Sequence, residues 1–235
     1  MQNSFLILLL SLTLLSCNAQ NDAASKLIYK IQMPRNERQN SPLLILMHGF
    51  GSNEEDLFEY AQYMPEDYMV ISVRAPYTIS EGSYKWYDVD FSTGKLIYDV
   101  AVAEKSRLLL LDFIDVLKKK HQFDAKSIYL GGFSQGAIMS FSVGLTRPDK
   151  VKGVLALSGR VLDEIKGKID EKRDFSTFKA LVIHGKEDKV LPIEYARQSK
   201  TLLDSLKINT AYHEMPYAHT TSEETVRLMI DFLNN

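Results

Sequence analysis

Ser134 lies in Gly132-Phe133-Ser134-Gln135-Gly136, after an apolar run (Ile128 to Leu130) and before Ala137-Ile138-Met139-Ser140-Phe141, which has helical composition. A serine on a sharp strand-to-helix turn projects its hydroxyl beyond the sheet edge, and strained backbone there requires neighbours without Cβ. Gly132 and Gly136 supply them. Glycine and serine each make up roughly 7% of residues, so a bare match arises by chance in about one chain in ten of this length. The hydroxyl becomes a nucleophile only if the chain also supplies a base, an acid and an oxyanion site.

Five histidines are candidates for the base. His48 stands at a strand end before Gly49 and suits a brace for its loop. His121 follows a lysine-rich helix end and is expected in solvent. His184 ends an apolar strand, where a satisfied structural imidazole is the simpler role, and His213 falls inside the last strand. His219 alone lies in the loop between the last strand and the last helix, where the chain order serine, acid, histidine places the base. The acid belongs at the end of a strand following the serine unit. Asp188, in His184-Gly185-Lys186-Glu187-Asp188, is so placed, and a carboxylate there fixes the histidine tautomer and stabilises the imidazolium. Asp163, Glu164 and Asp170 fall in a polar stretch that reads as a solvated face.

An oxyanion needs two backbone donors. Gln135 follows the nucleophile at a helix start, where N–H groups are free and the macrodipole favours negative charge. Phe50, between Gly49 and Gly51, is the second donor, since the glycines allow its backbone to approach a substrate oxygen closely.

These loops must be held by a sheet. Leu43 to Met47, Met69 to Val73, the run before Ser134, Lys152 to Leu157 and Lys179 to Ile183 read as buried strands. Lys26 to Ile31 reads as a first strand near the sheet edge, and Asn209 to Met215 as the last. Helices are expected after Ser52, with Glu54, Glu55 and Asp56 in the first turn, and over Val100 to Lys119, Glu194 to Leu206 and Ser222 to Leu233. Pro76 to Gly94 reads as irregular. Alternating strands and helices predict an α/β fold with a mostly parallel, doubly wound sheet, and the glycine-containing loops at His48, Gly131, Ser158 and His184 all fall at the strand ends where ligands bind in such sheets.

The 235 residues suffice for one sizeable domain, and the formal net charge of −2, with Lys118-Lys119-Lys120 as the only basic cluster, excludes an electrostatic nucleic-acid partner. No H-E-x-x-H, C-x-x-C or nucleotide fingerprint occurs, so neither a metal nor a cofactor is expected. Phe5 to Leu15 is an apolar run too short to span a bilayer and suited to a signal peptide over residues 1–16. Leu14-Leu15-Ser16-Cys17 resembles a bacterial lipobox, and Cys17, the one cysteine, would carry the lipid. Ordinary cleavage near Ala19-Gln20 is the rival. Residues 17–25 then form a tether and 26–235 the domain. The expected location is the cell envelope, with any membrane contact through the lipid at Cys17; the alternative is a secreted soluble protein.

Four segments together resemble the α/β-hydrolases, and within them the phospholipase/carboxylesterase family that includes the acyl-protein thioesterases. They are Leu46 to Gly51 with Asp56, Trp86-Tyr87-Asp88, Gly131 to Ala137, and His184-Gly185 with Asp188 and Pro192 followed by His219. The resemblance implies an α/β-hydrolase fold without a large cap and a serine carboxylic-ester hydrolase. It makes Ser134, Asp188 and His219 the triad, the N–H groups of Phe50 and Gln135 the oxyanion hole, and a small or medium ester the substrate. Ala218 stands where the family usually has glycine, and Phe91 to Tyr98 holds no leucine-rich lid. Trp86 and Tyr87 either wall a substrate pocket or belong to the core. Arg160 either receives a substrate carboxylate or faces solvent. Two rival functions stay open: an exported esterase acting on acetyl or feruloyl groups of polysaccharide, and a non-catalytic binding lipoprotein of the same fold.

Overall fold

The computed structural model describes residues 23–36, 40–90 and 97–235. The leader, Cys17 and the first part of the tether lie outside the described residues, as does most of the Phe91 to Tyr98 segment.

Seven strands form one sheet: β1 (Tyr29–Gln32), β2 (Leu43–Met47), β3 (Met69–Val73), β4 (Ile128–Phe133), β5 (Gly153–Leu157), β6 (Lys179–Gly185) and β7 (Asn209–Met215). Their spatial order is β1-β3-β2-β4-β5-β6-β7. All neighbours run parallel except β1, which pairs antiparallel with β3 at the edge. The continuous apolar runs are the fully buried central strands β2, β3 and β5, while the edge strands β1 and β7 are half-buried along most of their length.

The period of two along each strand sorts side chains into two cores. Leu43, Ile45 and Met47 face one side, with Val154, Ala156 and Val182, and pack with Phe113, Ile114 and Phe141. The covering helices there are α1 (Val100–Lys120), α2 (Gln135–Thr146) and α3 (Glu194–Ser205). Leu44, Leu46, Leu155, Leu181 and Ile183 face the other side, against Leu57, Ala61, Met229 and Leu233. That layer comprises a 3-10 helix, Leu57–Tyr63, and α4 (Glu223–Asn234). Helices on both faces complete the doubly wound architecture.

Capping sets the helix limits. Asp99 accepts the Val102 N–H at the start of α1, and three lysines in its last turn complement the macrodipole. Ser222 and Thr225 exchange side-chain and backbone bonds to open α4, which fixes the end of the loop carrying His219.

Three local expectations change. The segment after Ser52 forms a 3-10 helix that starts only at Leu57, so Glu54 lies before it rather than in a helical first turn, buried where the Arg74 guanidinium grips both its oxygens. His121 is not left to solvent, since its Nε2 meets the Tyr29 hydroxyl at 2.9 Å. The irregular stretch after Pro76 contains two small antiparallel ribbons, Tyr77–Ser80 with Ser83–Lys85 and Val89–Asp90 with Ile97–Tyr98.

Candidate active site

Ser134 occupies the turn between β4 and α2 with φ 52° and ψ −114°, a strained conformation for a residue with a side chain. The glycines around it are a steric requirement. A Cβ on Gly132 would lie 2.4 Å from the Gly136 carbonyl carbon, and one on Gly136 would lie 1.9 Å from the Met47 carbonyl oxygen. The turn is therefore pressed against the end of β2. The Ser134 N–H donates to the Leu157 carbonyl of β5 at 2.8 Å, which ties it to its other neighbour.

His219 approaches from the loop after β7. Its Nε2 is 2.9 Å from Ser134 Oγ, and its Nδ1 is 2.6 Å from Asp188 Oδ2. With Nδ1–H donating to the carboxylate, Nε2 is left as an acceptor for the serine hydroxyl. The Phe133 ring packs on the imidazole with centroids 4.8 Å apart. The loop is fixed by α4 on one side, through Tyr217 Oη and Thr225 Oγ1 at 2.9 Å, and by the 3-10 helix on the other, through Tyr60 Oη and Thr221 Oγ1 at 2.6 Å.

Asp188 is buried, 5% exposed. Its Oδ1 accepts the Val190 and Leu191 N–H groups at 2.9 and 2.8 Å. Burial pushes its carboxyl up, but hydrogen bonds with His184 and His219 and the Leu191 N–H outweigh it and hold the group well below the usual carboxylate range. His184 Nε2 lies 2.7 Å from the Leu191 carbonyl oxygen and 3.3 Å from Asp188 Oδ2. Its proton therefore sits on Nε2, and its buried Nδ1 has no hydrogen-bond partner among the described residues. His184 is thus a second imidazole on the same carboxylate as His219. Ending a buried strand hinted at burial, but nothing in its spacing signalled that contact.

The loop after β2 passes beside the turn, since a Cβ on Gly49 would lie 3.5 Å from Ser134 Cβ. Gly51 takes φ +85°, and its N–H donates to the Tyr84 carbonyl at 2.8 Å, binding this loop to the first ribbon. His48 braces it from below. The Ala75 N–H donates to His48 Nε2 at 3.0 Å, so Nδ1–H donates to the Gly49 carbonyl at 2.7 Å, and burial pushes this imidazole's pKa down. Phe50 exposes 44% of its surface at this edge, and Gln135, as the first residue of α2, has no intrahelical acceptor for its N–H.

Trp86 and Tyr87 are 0% and 2% exposed, which leaves no surface to wall a pocket. They belong to the core, and the reason is a clamp from Gln135. Its Oε1 accepts the Trp86 N–H at 2.8 Å, and its Nε2 donates to the Tyr87 carbonyl at 2.9 Å. The indole N–H donates to the His48 carbonyl at 3.0 Å. Gln135 and Trp86 therefore join the serine turn to the loop of Phe50. The sequence points to the Gln135 backbone and gives no sign of this side-chain role. Arg160 is 8% exposed rather than solvent-facing, with its guanidinium against Tyr98 and Tyr195. Among the described residues, no group of three or more histidine, cysteine or acidic side chains is arranged to hold a metal ion.

A strained serine at the end of a central strand, a histidine and a carboxylate in line behind it, and a sheet covered on both faces define the α/β-hydrolase class. The chain belongs to the phospholipase/carboxylesterase family, whose sequence profile matches residues 28–235. It is 24% identical to acyl-protein thioesterase 1 of Debaryomyces hansenii over 229 residues, covering 90% of this chain and 98% of that one. The Candida albicans acyl-protein thioesterase 1 is 27% identical over 228 residues, with 87% and 96% covered. Among solved structures, esterase PE8 superposes with a TM-score of 0.76 at 25% identity, covering 89% of this chain and 98% of that one. The Bacillus cereus carboxylesterase gives 0.73 at 21% identity, covering 89% and 94%. The protein is thus a hydrolase of the carboxylesterase/thioesterase type.

Proposed function

We propose that the protein is a serine carboxylic-ester hydrolase that acts through an acyl-enzyme on small or medium esters. The observation that carries this reading is the relay Asp188–His219–Ser134, with contacts of 2.6 and 2.9 Å, set beside the Phe50 loop and the start of α2.

In the first half-reaction His219 Nε2 takes the Ser134 proton as Oγ attacks the ester carbonyl. The carbonyl oxygen becomes an oxyanion facing the N–H groups of Phe50 and Gln135, and each such donor is worth roughly 10²–10³ in rate. Asp188 stays ionised and stabilises the imidazolium without taking its proton. His219 gives the proton to the departing alkoxide, leaving Ser134 acylated. In the second half water repeats the sequence, and Ser134 recovers its proton as the acid leaves. The Gln135 clamp keeps the two donors at fixed separation, so they need no reorganisation as charge develops.

A fluorophosphonate probe tests the reading directly. Intact-mass and peptide analysis should find one adduct, on Ser134, and a folded protein that resists labelling would contradict it.

A further inference from the structure

Arg160 lies three residues beyond the end of β5 and is 8% exposed. Two other arginines show how this fold accommodates such a group. Arg107, also 8% exposed, donates from Nε and Nη2 to the two carboxylate oxygens of Glu104 and from Nη1 to Thr146. Arg74 grips both oxygens of Glu54. Arg160 has no such partner among the described residues. Its Nε is buried without a hydrogen bond, and its guanidinium is held against the Tyr195 and Tyr98 rings, 4.6 and 5.3 Å from their centroids. The nearby carboxylates take other hydrogen-bond partners, and Asp163, held below the usual carboxylate range chiefly by Lys166, feels the Arg160 charge only at longer range. Glu164 accepts the Tyr98 hydroxyl at 2.5 Å, and Asp163 pairs with Lys166 at 2.7 Å. A buried guanidinium N–H without a hydrogen-bond partner is unfavourable, and the planar fork of an arginine matches a carboxylate.

Arg160 also follows directly on the strand end that holds the serine turn. The Ser134 N–H is bonded to the Leu157 carbonyl, and the three residues from Leu157 to Arg160 span at most about 10 Å. Gly159 holds that short connection against the first turn of α2, since a Cβ there would lie 2.4 Å from Ala137 Cβ. The proposed acyl transfer already has its nucleophile, base, acid and oxyanion donors, so it makes no use of this cation.

Resting on the ester-hydrolase reading above, we propose that Arg160 receives a carboxylate carried by the substrate, so that the preferred esters bear a free acid group a few bonds from the scissile carbonyl. The aromatic pair holds the guanidinium plane in place and leaves its fork to the substrate. The acid can belong to the acyl part, as in a half-ester of a dicarboxylic acid, or to the leaving alcohol.

The test compares kcat/KM for mono-4-nitrophenyl glutarate with neutral 4-nitrophenyl pentanoate, and for 4-acetoxybenzoate with its methyl ester. Wild type should favour the charged member of one pair, the first pair reporting the acyl side and the second the leaving-group side. In Arg160→Gln that ratio should fall at least about tenfold, chiefly through KM, with partial recovery in Arg160→Lys. Free glutarate or 4-hydroxybenzoate, matching the preferred side, should inhibit wild-type turnover of the neutral ester competitively, a readout that needs no variant to fold. No preference in either pair, no competition, or an unchanged ratio in a folded Arg160→Gln protein would overturn the proposal. Failure of wild type on every ester would instead overturn the ester-hydrolase reading itself.

Discussion

Gly185 and Ala218 are packed so closely that a Cβ on Gly185 would lie 2.3 Å from the Ala218 carbonyl oxygen and 2.2 Å from that of Tyr217. Gly185 ends the strand that leads to Asp188, and Ala218 immediately precedes His219. The following N–H groups continue the seam, with Lys186 donating to Met215 at 2.8 Å and Glu187 to Tyr217 at 3.1 Å. The acid loop and the base loop are therefore laced backbone to backbone before their side chains meet.

Gly185→Ala should break that seam, because the new methyl group meets backbone rather than a yielding side chain. Displacing His219 by about 1 Å costs roughly 10²-fold in rate. We expect kcat/KM on a 4-nitrophenyl ester to fall by about that factor in protein that still folds. Activity within twofold of wild type would show that the two loops are not coupled through this contact.

Gln135→Ala should act on stability as well as rate. It leaves the buried Trp86 N–H and Tyr87 carbonyl without partners, at about 1–3 kcal/mol for each. With roughly 2–4 °C per kcal/mol for a domain of this size, thermal unfolding should shift down by about 4–24 °C. An unchanged melting temperature would mean that the clamp contributes nothing.

Asp188 makes stability depend on pH with a defined sign. Its folded carboxyl is held below the usual range, so the unfolded chain binds the extra proton. Its contribution is complete above the unfolded pKa of about 3.9 and is lost as the pH falls toward the lower folded value. The gap in unfolding free energy between wild type and Asp188→Asn should therefore narrow from pH 6 to pH 3. Denaturant titrations across that range check this, and a gap that widens on acidification would contradict the bonding described for this carboxylate. At neutral pH the same variant should lose roughly 10³–10⁴ in kcat, since the histidine is no longer held in its working tautomer.

The parts of the site that were legible in the sequence depend on local rules. Leu43 to Met47 carries the continuous apolar signature of a strand buried on both faces, and Gly132 and Gly136 announce a turn that tolerates no Cβ. The topology then brings Asp188 and His219 to the same strand ends. What escaped the sequence depends on partners far along the chain. Glu54 looks like a helix N-terminal acid until Arg74 is placed beside it. Trp86 looks like a pocket wall until Gln135 and His48 take its polar groups. His121 looks solvated until Tyr29, 92 positions away, reaches it. In each case a tertiary contact outweighs the local preference, and no periodicity records it.

The central claim is that the Ser134 hydroxyl forms the acyl-enzyme. Its most direct measurement is steady-state hydrolysis of 4-nitrophenyl butyrate by wild type and Ser134→Ala side by side, with thermal unfolding to verify that both are folded. We predict that the variant melts within a few degrees of wild type and loses roughly 10⁴-fold or more in kcat. A folded Ser134→Ala protein that turns the ester over at near wild-type rate would contradict the account.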